Sequence, residues 1–224
     1  MRLVVRVGGS VVASPLNPGL INKYVELLGD LRRRGHVVAA VVGGGSLSRD
    51  LIRAAEAVGL GQSAQDEVAI SVSRVVAQLF GLKLGKLGFL PVPTTVEDAA
   101  REFERGRVIV MGGLRPGMTT DAVAALLAER VKADLLVKAT DQDGIYSRDP
   151  RRFPDARKLD SVSFGDLAKL FEVDRHVAGI HQIIDPTAVV VLKRLRLRTV
   201  VVNGFRPENV LLAVNGERVG TVIS

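Results

Sequence analysis

The chain has 224 residues, 47% of them hydrophobic and 4% aromatic, and its 31 Lys and Arg outnumber 24 Asp and Glu, giving a net charge of +7. The absence of cysteine excludes disulfides and thiolate metal sites and is compatible with a reducing cytoplasm. The first β-rich run begins at Arg2 and no apolar run approaches the roughly 18 residues of a membrane span, so we expect a cytoplasmic protein without a signal peptide or membrane partner.

Apolar runs that predict strands alternate with stretches of helical spacing. The predicted strands are residues 3–7, 36–42, 89–92, 107–111, 134–140, 198–203 and 218–223. The predicted helices are residues 17–34, 47–58, 63–80, 119–128, 163–172, 185–196 and 207–214, with another starting at Thr95. The polar, proline-containing stretch 146–157 reads as an excursion or hairpin. This alternation predicts an α/β fold in which helices cover both faces of a mostly parallel sheet.

Four of the predicted strands end in loops rich in glycine or hydroxyl side chains. These loops are residues 8–10, 43–46, 112–120 and 140–144. Because the carboxyl ends of parallel strands share one edge of a sheet, all four loops can face one crevice. Glycine allows backbone N–H groups to approach a phosphate, and a helix start favours negative charge. Each loop alone could be a tight turn, but their repetition favours an anion site, although no P-loop or dinucleotide fingerprint is present.

Several side chains near these loops have both a functional and an ordinary interpretation. Arg49 lies one turn into the helix after the second glycine loop, and Arg6 lies just before the first glycine loop. Either side chain could hold phosphate oxygens. Arg6 could equally point to solvent or to a neighbouring helix. Asp66 is either a helix-start charge or an acceptor for sugar hydroxyls. Asp121 either caps a helix or organises a cation or magnesium at the transfer point. The three histidines match no metal-ligand spacing, so no metal site of the chain's own is predicted.

The basic charge suits small polyanionic substrates as well as nucleic acid. Nine Phe and Tyr residues are scattered, and the interleaved aromatic residues that stack on single-stranded bases are missing. A nucleic-acid partner is therefore not expected.

Taken together, these motifs resemble the amino acid kinase family and, within it, the archaeal-type uridylate (UMP) kinases. The most specific match is Thr119-Thr120-Asp121-Ala122-Val123-Ala124-Ala125-Leu126 together with Asp66. The other matching pieces are Gly8-Gly9-Ser10, Val41 to Gly45 with Arg49, Met111-Gly112-Gly113, Ala133-Asp134, Asp143 to Tyr146, Asp149-Pro150 and Ile184-Asp185-Pro186. Their order and spacing fit from end to end, so the resemblance covers essentially the whole chain.

The resemblance implies a three-layer αβα sandwich with a central, mostly parallel sheet of about eight strands. Residues 1–224 would form one domain, with UMP on the N-terminal half and ATP on the C-terminal half. The implied activity is reversible transfer of the ATP γ-phosphoryl group to UMP, giving UDP and ADP in pyrimidine nucleotide (CTP) biosynthesis. Mg²⁺ would accompany ATP, and the implied assembly is a cytoplasmic homohexamer arranged as a trimer of dimers.

The resemblance also implies a role for particular residues. Those expected to hold ATP are Gly9, Ser10, Gly45, Arg49, Thr140, Asp141, Tyr146 and Asp149. Those expected to hold UMP are Gly44, Asp66, Leu114, Arg115, Pro116, Gly117, Met118, Thr119 and Thr120. Those expected to act in catalysis are Asp121, Arg49 and Arg6.

The sequence departs from the family's pattern in three places. Relatives often carry Lys near the first glycine loop, where the nearest cation here is Arg6. Thr140-Asp141-Gln142 replaces a more usual Thr-Asn-Val and puts a carboxylate near the expected nucleotide, and the stretch 177–184 with His181 is also atypical.

Two alternatives to UMP phosphorylation remain open at the level of sequence. One is a sister enzyme that acts on carbamate, an acylated amino acid or isopentenyl phosphate. The other is a non-catalytic nucleotide-binding or storage module on the same fold.

Overall fold

Short runs of valine, leucine and alanine form the strands of a central sheet in the computed structural model, which describes residues 1–167 and 183–224. In this part of the chain seven strands pair in the order β3-β2-β1-β4-β6-β7-β5. Their bounds are β1 Arg2–Val7, β2 Val37–Val42, β3 Ile109–Met111, β4 Leu135–Thr140, β5 Ser161–Val162, β6 Thr199–Asn203 and β7 Thr221–Ile223. Every pair is parallel except β6 with β7. The expected α/β class with a mostly parallel sheet is therefore confirmed. The described residues form seven strands, whereas the resemblance implied about eight.

Helices cover both faces of this sheet. Their bounds are α1 Gly9–Val12, α2 Pro18–Arg33, α3 Gly45–Ala57, α4 Gln62–Leu84, α5 Val96–Glu104, α6 Thr120–Arg130, α7 Pro186–Leu195 and α8 Glu208–Val214. Buried residues of α1, α2, α4 and α8 form one core cluster, and those of α5, α6 and α7 form the other. The strands divide between these cores by alternation, since Leu3, Val5 and Val7 join the first and Val4 the second.

Polar side chains begin most of the long helices, as the sequence predicts. The Asn17 side chain accepts a hydrogen bond from the Leu20 N–H group, and Pro18 takes the first helical position of α2. Thr95 caps α5 in the same way, and Asp185 caps α7. These caps supply acceptors for backbone N–H groups that have no partner within the helix.

The predicted strand over residues 89–92 is wrong. The structure has one isolated bridge there, between Gly88 and Val108, and no further pairing. Pro91 and Pro93 lack the N–H donors that a strand ladder needs, which explains the failure of this apolar run to form a strand. The expected excursion at 146–157 is confirmed by an antiparallel bridge between Tyr146 and Lys158.

Two sequence expectations fall partly outside the described residues. Of the helix predicted over 163–172, residues 164–167 are helical and the rest lies outside. Of the atypical stretch 177–184, residues 177–182, which include His181, lie outside the described residues, and Ile183 and Ile184 are buried in the second core cluster.

Residues 62–87, which comprise α4 and the 3₁₀ turn after it, are long and apolar enough to cross a membrane by length and composition, because they contain an 18-residue window with a mean hydropathy of 1.4. In the fold, α4 packs on α3, on α2 and on the strands β2 and β3, and it contributes Val76, Ala77 and Phe80 to the first core. A long helix packed on a sheet passes the same hydropathy test, so this result is weak evidence for a membrane span.

Candidate functional site

A cleft of about 950 Å³ opens at the carboxyl ends of the central strands. Its walls include residues from all four loops that the sequence singles out, at 9–10, 43–45, 113–120 and 140–142. The expectation that these loops face one crevice is therefore confirmed. The first half of α4 closes one side of the cleft with Asp66, Ala69, Ile70 and Ser73.

The two N-terminal glycine loops pack directly against each other. A Cβ atom on Gly9 would lie 2.3 Å from the Gly45 nitrogen, and one on Gly45 would lie 2.2 Å from the Ala13 carbonyl oxygen. Gly45 also has a φ of +58°, a conformation that other residues seldom adopt. Within the described residues, the backbone N–H groups of Gly9, Ser10 and Gly45 have no protein acceptor. The close packing thus presents free N–H groups to the cleft, as an anion site requires.

Asp121, in the first turn of α6, lies between two cations that come from adjacent strands. Arg6 on β1 and Lys138 on β4 are register partners, so their side chains leave the sheet side by side. Arg6 Nε lies 2.6 Å from Asp121 Oδ1 in an ion pair without hydrogen-bond alignment, and Lys138 Nζ donates to Oδ2. The Asp185 backbone N–H group donates to the same Oδ2 at 3.1 Å, and Arg6 Nη2 donates to Thr120 Oγ1 at 2.8 Å. We call Arg6, Asp121 and Lys138 the ion cluster.

All three members of the ion cluster are charged at neutral pH. Burial raises the pKa of Asp121, but Lys138 and Arg6 together outweigh this effect and lower the pKa to about 2. Burial lowers the pKa of Lys138 to about 8, against the attraction of Asp121, which raises it. Two cations and one anion leave a net charge of +1 at the floor of the cleft. Such a fixed charge stabilises negative charge that develops on a transferring group.

Lys138 was missed in the interpretation of the sequence, which found Arg6 as the nearest cation to the first glycine loop. Its signal was a charged residue in the middle of the apolar run Leu135–Thr140, in a strand that is buried throughout. A buried lysine needs a partner, and Asp121 supplies it. Arg6 points to the start of the neighbouring helix α6, where it contacts Asp121 and Thr120, so of its two alternative placements the helix is confirmed and solvent is wrong. Its expected contact with phosphate oxygens stays a prediction.

The expected acceptor side of the cleft is formed by Asp66 and the loop that precedes α6. Asp66 Oδ2 accepts a hydrogen bond of 2.8 Å from the Gly117 N–H group, and Gln62 Nε2 donates to Oδ1 at 3.2 Å. The residues of the loop that line the cleft are Arg115, Gly117, Met118, Thr119 and Thr120, together with Gly44 across from them. Leu114 packs on the second core instead, and Pro116 is exposed and outside the lining.

The expected donor side contains Thr140 and Asp141, and it contains a further cation. Arg151 Nη2 lies 3.0 Å from Asp141 Oδ2, and both residues line the cleft with Gln142. The atypical carboxylate of Asp141 is therefore paired within the chain. Arg49 lines the other end of this side, where its guanidinium lies 3.4 Å from Ser14 Oγ.

Tyr146 and Asp149 lie outside the residues that line the cleft. Tyr146 is half-buried and belongs to the bridge with Lys158. Asp149 Oδ1 accepts a hydrogen bond of 2.9 Å from the Arg151 N–H group, so Asp149 shapes the turn that presents Arg151. Their contacts with an adenosine stay predictions.

Within residues 1–167 and 183–224, no group of three His, Asp or Glu side chains could hold a metal ion. Both carboxylate oxygens of Asp121 are already engaged by Lys138, Arg6 and the Asp185 N–H group. A magnesium ion would therefore be held chiefly by the phosphates of a nucleotide and by water, which is its usual coordination.

A model of the amino acid kinase family matches residues 1–203. The chain belongs to the amino acid kinase family. It is 37% identical over 223 residues to the uridylate kinase of Methanothermobacter thermautotrophicus and 40% identical to that of Methanocella arvoryzae, in each case over 100% of this chain and 99% of the relative. The crystal structure of uridylate kinase from Archaeoglobus fulgidus superposes with a TM-score of 0.89 at 36% identity and covers 100% of both chains.

Proposed function

We propose that the protein is a UMP kinase that transfers the γ-phosphoryl group of ATP to UMP, giving UDP and ADP in pyrimidine nucleotide biosynthesis. The observation that carries this proposal is the ion cluster, with its net charge of +1 between the glycine loops and the loop 114–120. The full-length similarity to archaeal uridylate kinases supports UMP as the acceptor.

We place the two substrates at opposite ends of the cleft, within one domain spanning residues 1–224. UMP would lie on the N-terminal half, against Asp66 and the loop 114–120. ATP would lie toward the C-terminal half, with its phosphates on the free N–H groups of the glycine loops and near Arg49, and its adenosine near Thr140 and Asp141. The terminal phosphate of ATP and the phosphate of UMP then meet above the ion cluster.

Phosphoryl transfer to UMP requires positioning of the two substrates and compensation of their negative charge, but it requires no strong base. The phosphate of UMP is already an anion near neutral pH, and in-line transfer to it depends on alignment and electrostatic stabilisation. Arg6 and Lys138 supply positive charge at the transfer point, and Asp121 fixes both of them. Mg²⁺ would enter bound to ATP and neutralise part of the phosphate charge.

The polar acceptor side argues against an isoprenoid acceptor. Asp66, Ser73 and Arg115 line the cleft there beside the apolar Ala69, Ile70 and Met118. An isoprenoid chain in this place would leave the carboxylate and the guanidinium without polar partners, whereas a nucleotide offers them hydroxyl and phosphate groups. The intact ion cluster and the free N–H groups of the glycine loops likewise argue against a storage module that has lost catalysis.

We also propose that the chain works as a cytoplasmic homohexamer, a trimer of dimers, without nucleic-acid or membrane partners. The support in the fold is the outer face of α4, where Val75, Leu79 and Leu82 are exposed. An exposed apolar row on a helix is a surface that a second copy could cover.

A coupled ADP-release assay with ATP, Mg²⁺ and a panel of acceptors tests the activity. The panel should contain UMP, CMP, AMP, carbamate, N-acetylglutamate and isopentenyl phosphate. We expect UMP to give the highest kcat/KM. Absence of turnover with UMP, or a clear preference for another acceptor, would overturn the proposal.

A further inference from the structure

The helix α4 holds the backbone of the acceptor loop through two adjacent side chains. Ser73 Oγ accepts a hydrogen bond of 2.7 Å from the Gly113 N–H group. The guanidinium of Arg74 donates to two consecutive carbonyl oxygens, from Nε to Gly113 at 3.0 Å and from Nη2 to Leu114 at 3.1 Å. Three backbone groups of the loop are therefore fixed at the point where it leaves β3.

The paired glycines of the loop are explained by this contact. A Cβ atom on Gly112 would lie 2.6 Å from the Arg74 backbone nitrogen, and one on Gly113 would lie 3.0 Å from the Ile70 side chain. The loop thus lies directly on the backbone of α4, at a distance that only glycine permits.

The fixed carbonyl groups determine where the neighbouring N–H groups point. In a trans peptide the C=O and N–H bonds point in opposite directions, so the N–H groups of Leu114 and Arg115 face away from the guanidinium of Arg74. In the described part of the chain, neither of these N–H groups has a protein acceptor. They are free donors held in a fixed direction, and of the two residues Arg115 lines the cleft, while Leu114 precedes it with its side chain on the second core.

We propose that Arg74 is a positioning residue for the acceptor phosphate. Its guanidinium holds the carbonyl groups of Gly113 and Leu114, so that the N–H groups of Leu114 and Arg115 are ready to bind an anion. Arg74 lies outside the residues that line the cleft and acts through the loop. The inference rests on the proposed function, since it names a determinant of UMP binding at the same site.

The contact with the loop requires an arginine at position 74, and a positive charge alone does not suffice. A planar guanidinium can donate to two carbonyl groups at once in a fixed geometry, whereas the single ammonium of lysine is a point charge on a flexible stem. Arg74→Met removes the donors and keeps much of the apolar stem, and Arg74→Lys keeps the charge without the fork. Lys83→Met, at the far exposed end of the same helix, is the matched control.

The test compares steady-state kinetics of these variants with the wild-type chain, with folding checked by circular dichroism. We expect Arg74→Met to raise KM for UMP roughly 10- to 100-fold, because hydrogen bonds from a charged donor order the loop. KM for ATP and kcat should stay within about threefold, Arg74→Lys should fall between Arg74→Met and the wild type, and Lys83→Met should match the wild type.

Two results overturn the role of Arg74 while leaving the proposed function intact. One is an active Arg74→Met variant whose KM for UMP is within twofold of the wild type. The other is an equal rise in KM for UMP and ATP, which indicates general damage. If Arg74→Met does not fold, the kinetics of Arg74→Lys test the proposal. Wild-type kinetics in Arg74→Lys would contradict it, because lysine cannot donate to both carbonyl groups in the fixed geometry of a guanidinium. Failure of the wild-type chain to phosphorylate UMP would instead overturn the proposed function itself.

Discussion

Asp121 is the residue with the largest number of charged contacts in the cleft, and these contacts limit what it can do. With Lys138 and Arg6 beside it, its pKa is lowered to about 2, so it has little tendency to take a proton at neutral pH. A general base is most effective when its pKa lies near the working pH. The geometry therefore assigns Asp121 to holding two cations in place.

Replacing Asp121 with Asn tests this assignment. The amide keeps the shape of the side chain and loses its charge, which leaves Arg6 and Lys138 to repel each other at the transfer point. We expect kcat to fall by roughly 10²- to 10³-fold, the usual cost of disturbing one electrostatic contact to a transition state. KM for UMP should change by less than about threefold.

The control for this variant is Asp30→Asn, which removes an exposed carboxylate that pairs with Arg33 on α2. It should leave both kinetic constants unchanged. A large rise in KM for UMP with an unchanged kcat in Asp121→Asn would contradict the assignment and place Asp121 in acceptor binding.

Lys138 gives the site a dependence on pH. Burial lowers its pKa to about 8, and a neutral amine cannot offset phosphoryl charge, so we expect kcat to fall as the pH rises through about 8. The same deprotonation should not lower the stability of the fold. Between about pH 8 and pH 10 the unfolded lysine binds more protons than the folded one, so this residue's contribution to the free energy of unfolding rises with pH.

Measurement of kcat from pH 6 to 9.5, with thermal unfolding at each pH, checks the prediction. Arg in place of Lys138 keeps its charge throughout this range, so Lys138→Arg should lose the alkaline fall if it retains activity. An identical fall in both proteins would show that another group titrates.

The sequence allowed Asp121, Arg49 and the glycines to be predicted because each follows a strand end in a recognisable motif. Lys138 shows in the sequence only as a charge within an apolar run, and Arg74 carries no local signal. The pairing of Lys138 with Arg6 depends on the register of β1 with β4, and Arg74 meets a loop about 40 residues away in the sequence. Contacts of this kind are fixed by tertiary packing and cannot be read from spacing along the chain.

At the scale of elements, the sequence was informative wherever one periodicity extended over a whole segment. Six of the seven described strands, the cap at Asn17 and the cap at Asp185 were predicted, with bounds that differ by at most three residues. The two-residue strand β5 was not predicted, because it is too short to show a period. The strand predicted over residues 89–92 was wrong because the prediction used the apolar character of the segment and ignored that Pro91 and Pro93 have no N–H donor. The loop at 112–120 was correctly expected to face the crevice, but the reason for its first two glycines is their contact with α4.

The packing of the two N-terminal glycine loops predicts the effect of adding one methyl group. Gly45→Ala places a Cβ atom against the Ala13 carbonyl oxygen in a backbone conformation that alanine disfavours. We expect KM for ATP to rise at least tenfold and the free energy of unfolding to fall by about 1–3 kcal/mol. Chemical denaturation and the coupled assay measure both quantities.

Gly61→Ala is the matched control for this change. A Cβ atom on Gly61 meets nothing within 4 Å, and its φ of −72° suits alanine. It should leave KM for ATP near the wild-type value and lower the free energy of unfolding by less than about 1 kcal/mol, because Gly61 is the N-cap of α4 and alanine is a poorer cap. Wild-type ATP kinetics in Gly45→Ala would show that the loop can relax without losing the phosphate site.

At the scale of the whole molecule, part of the net charge of +7 is used at the cleft. Five of the lining side chains are cationic and three are anionic: Arg6, Arg49, Arg115, Lys138 and Arg151 against Asp66, Asp121 and Asp141. The two polyanionic substrates proposed for this cleft would require such an excess, which attracts anions from solution. The basic composition is thereby accounted for in part without a nucleic-acid partner.

The proposed self-association is a property of the outer face of α4. With 3.6 residues per turn, Val75, Leu79 and Leu82 fall on one side of this helix, opposite the side that carries Asp66 and Ser73. Val75 is 55% exposed and Leu82 is 60% exposed in the isolated chain, although the helix around them is apolar. Full burial of an exposed side chain of this kind contributes about 1.5–3 kcal/mol, so covering the exposed part of these residues contributes roughly 1 kcal/mol each, which favours contact with a second copy.

Lysine at two positions of this row should therefore break the assembly without touching the cleft. We expect the wild-type chain to have about six times the protomer mass of 24.0 kDa by light scattering after size exclusion, and the double variant Val75→Lys, Leu82→Lys to have a smaller mass. Val190→Lys, at a position 67% exposed on α7, is the control and should keep the wild-type mass. A monomeric wild-type chain would contradict the proposed hexamer. An unchanged mass in the double variant would place the interface elsewhere, because two ammonium groups buried without partners cannot be accommodated in an apolar contact.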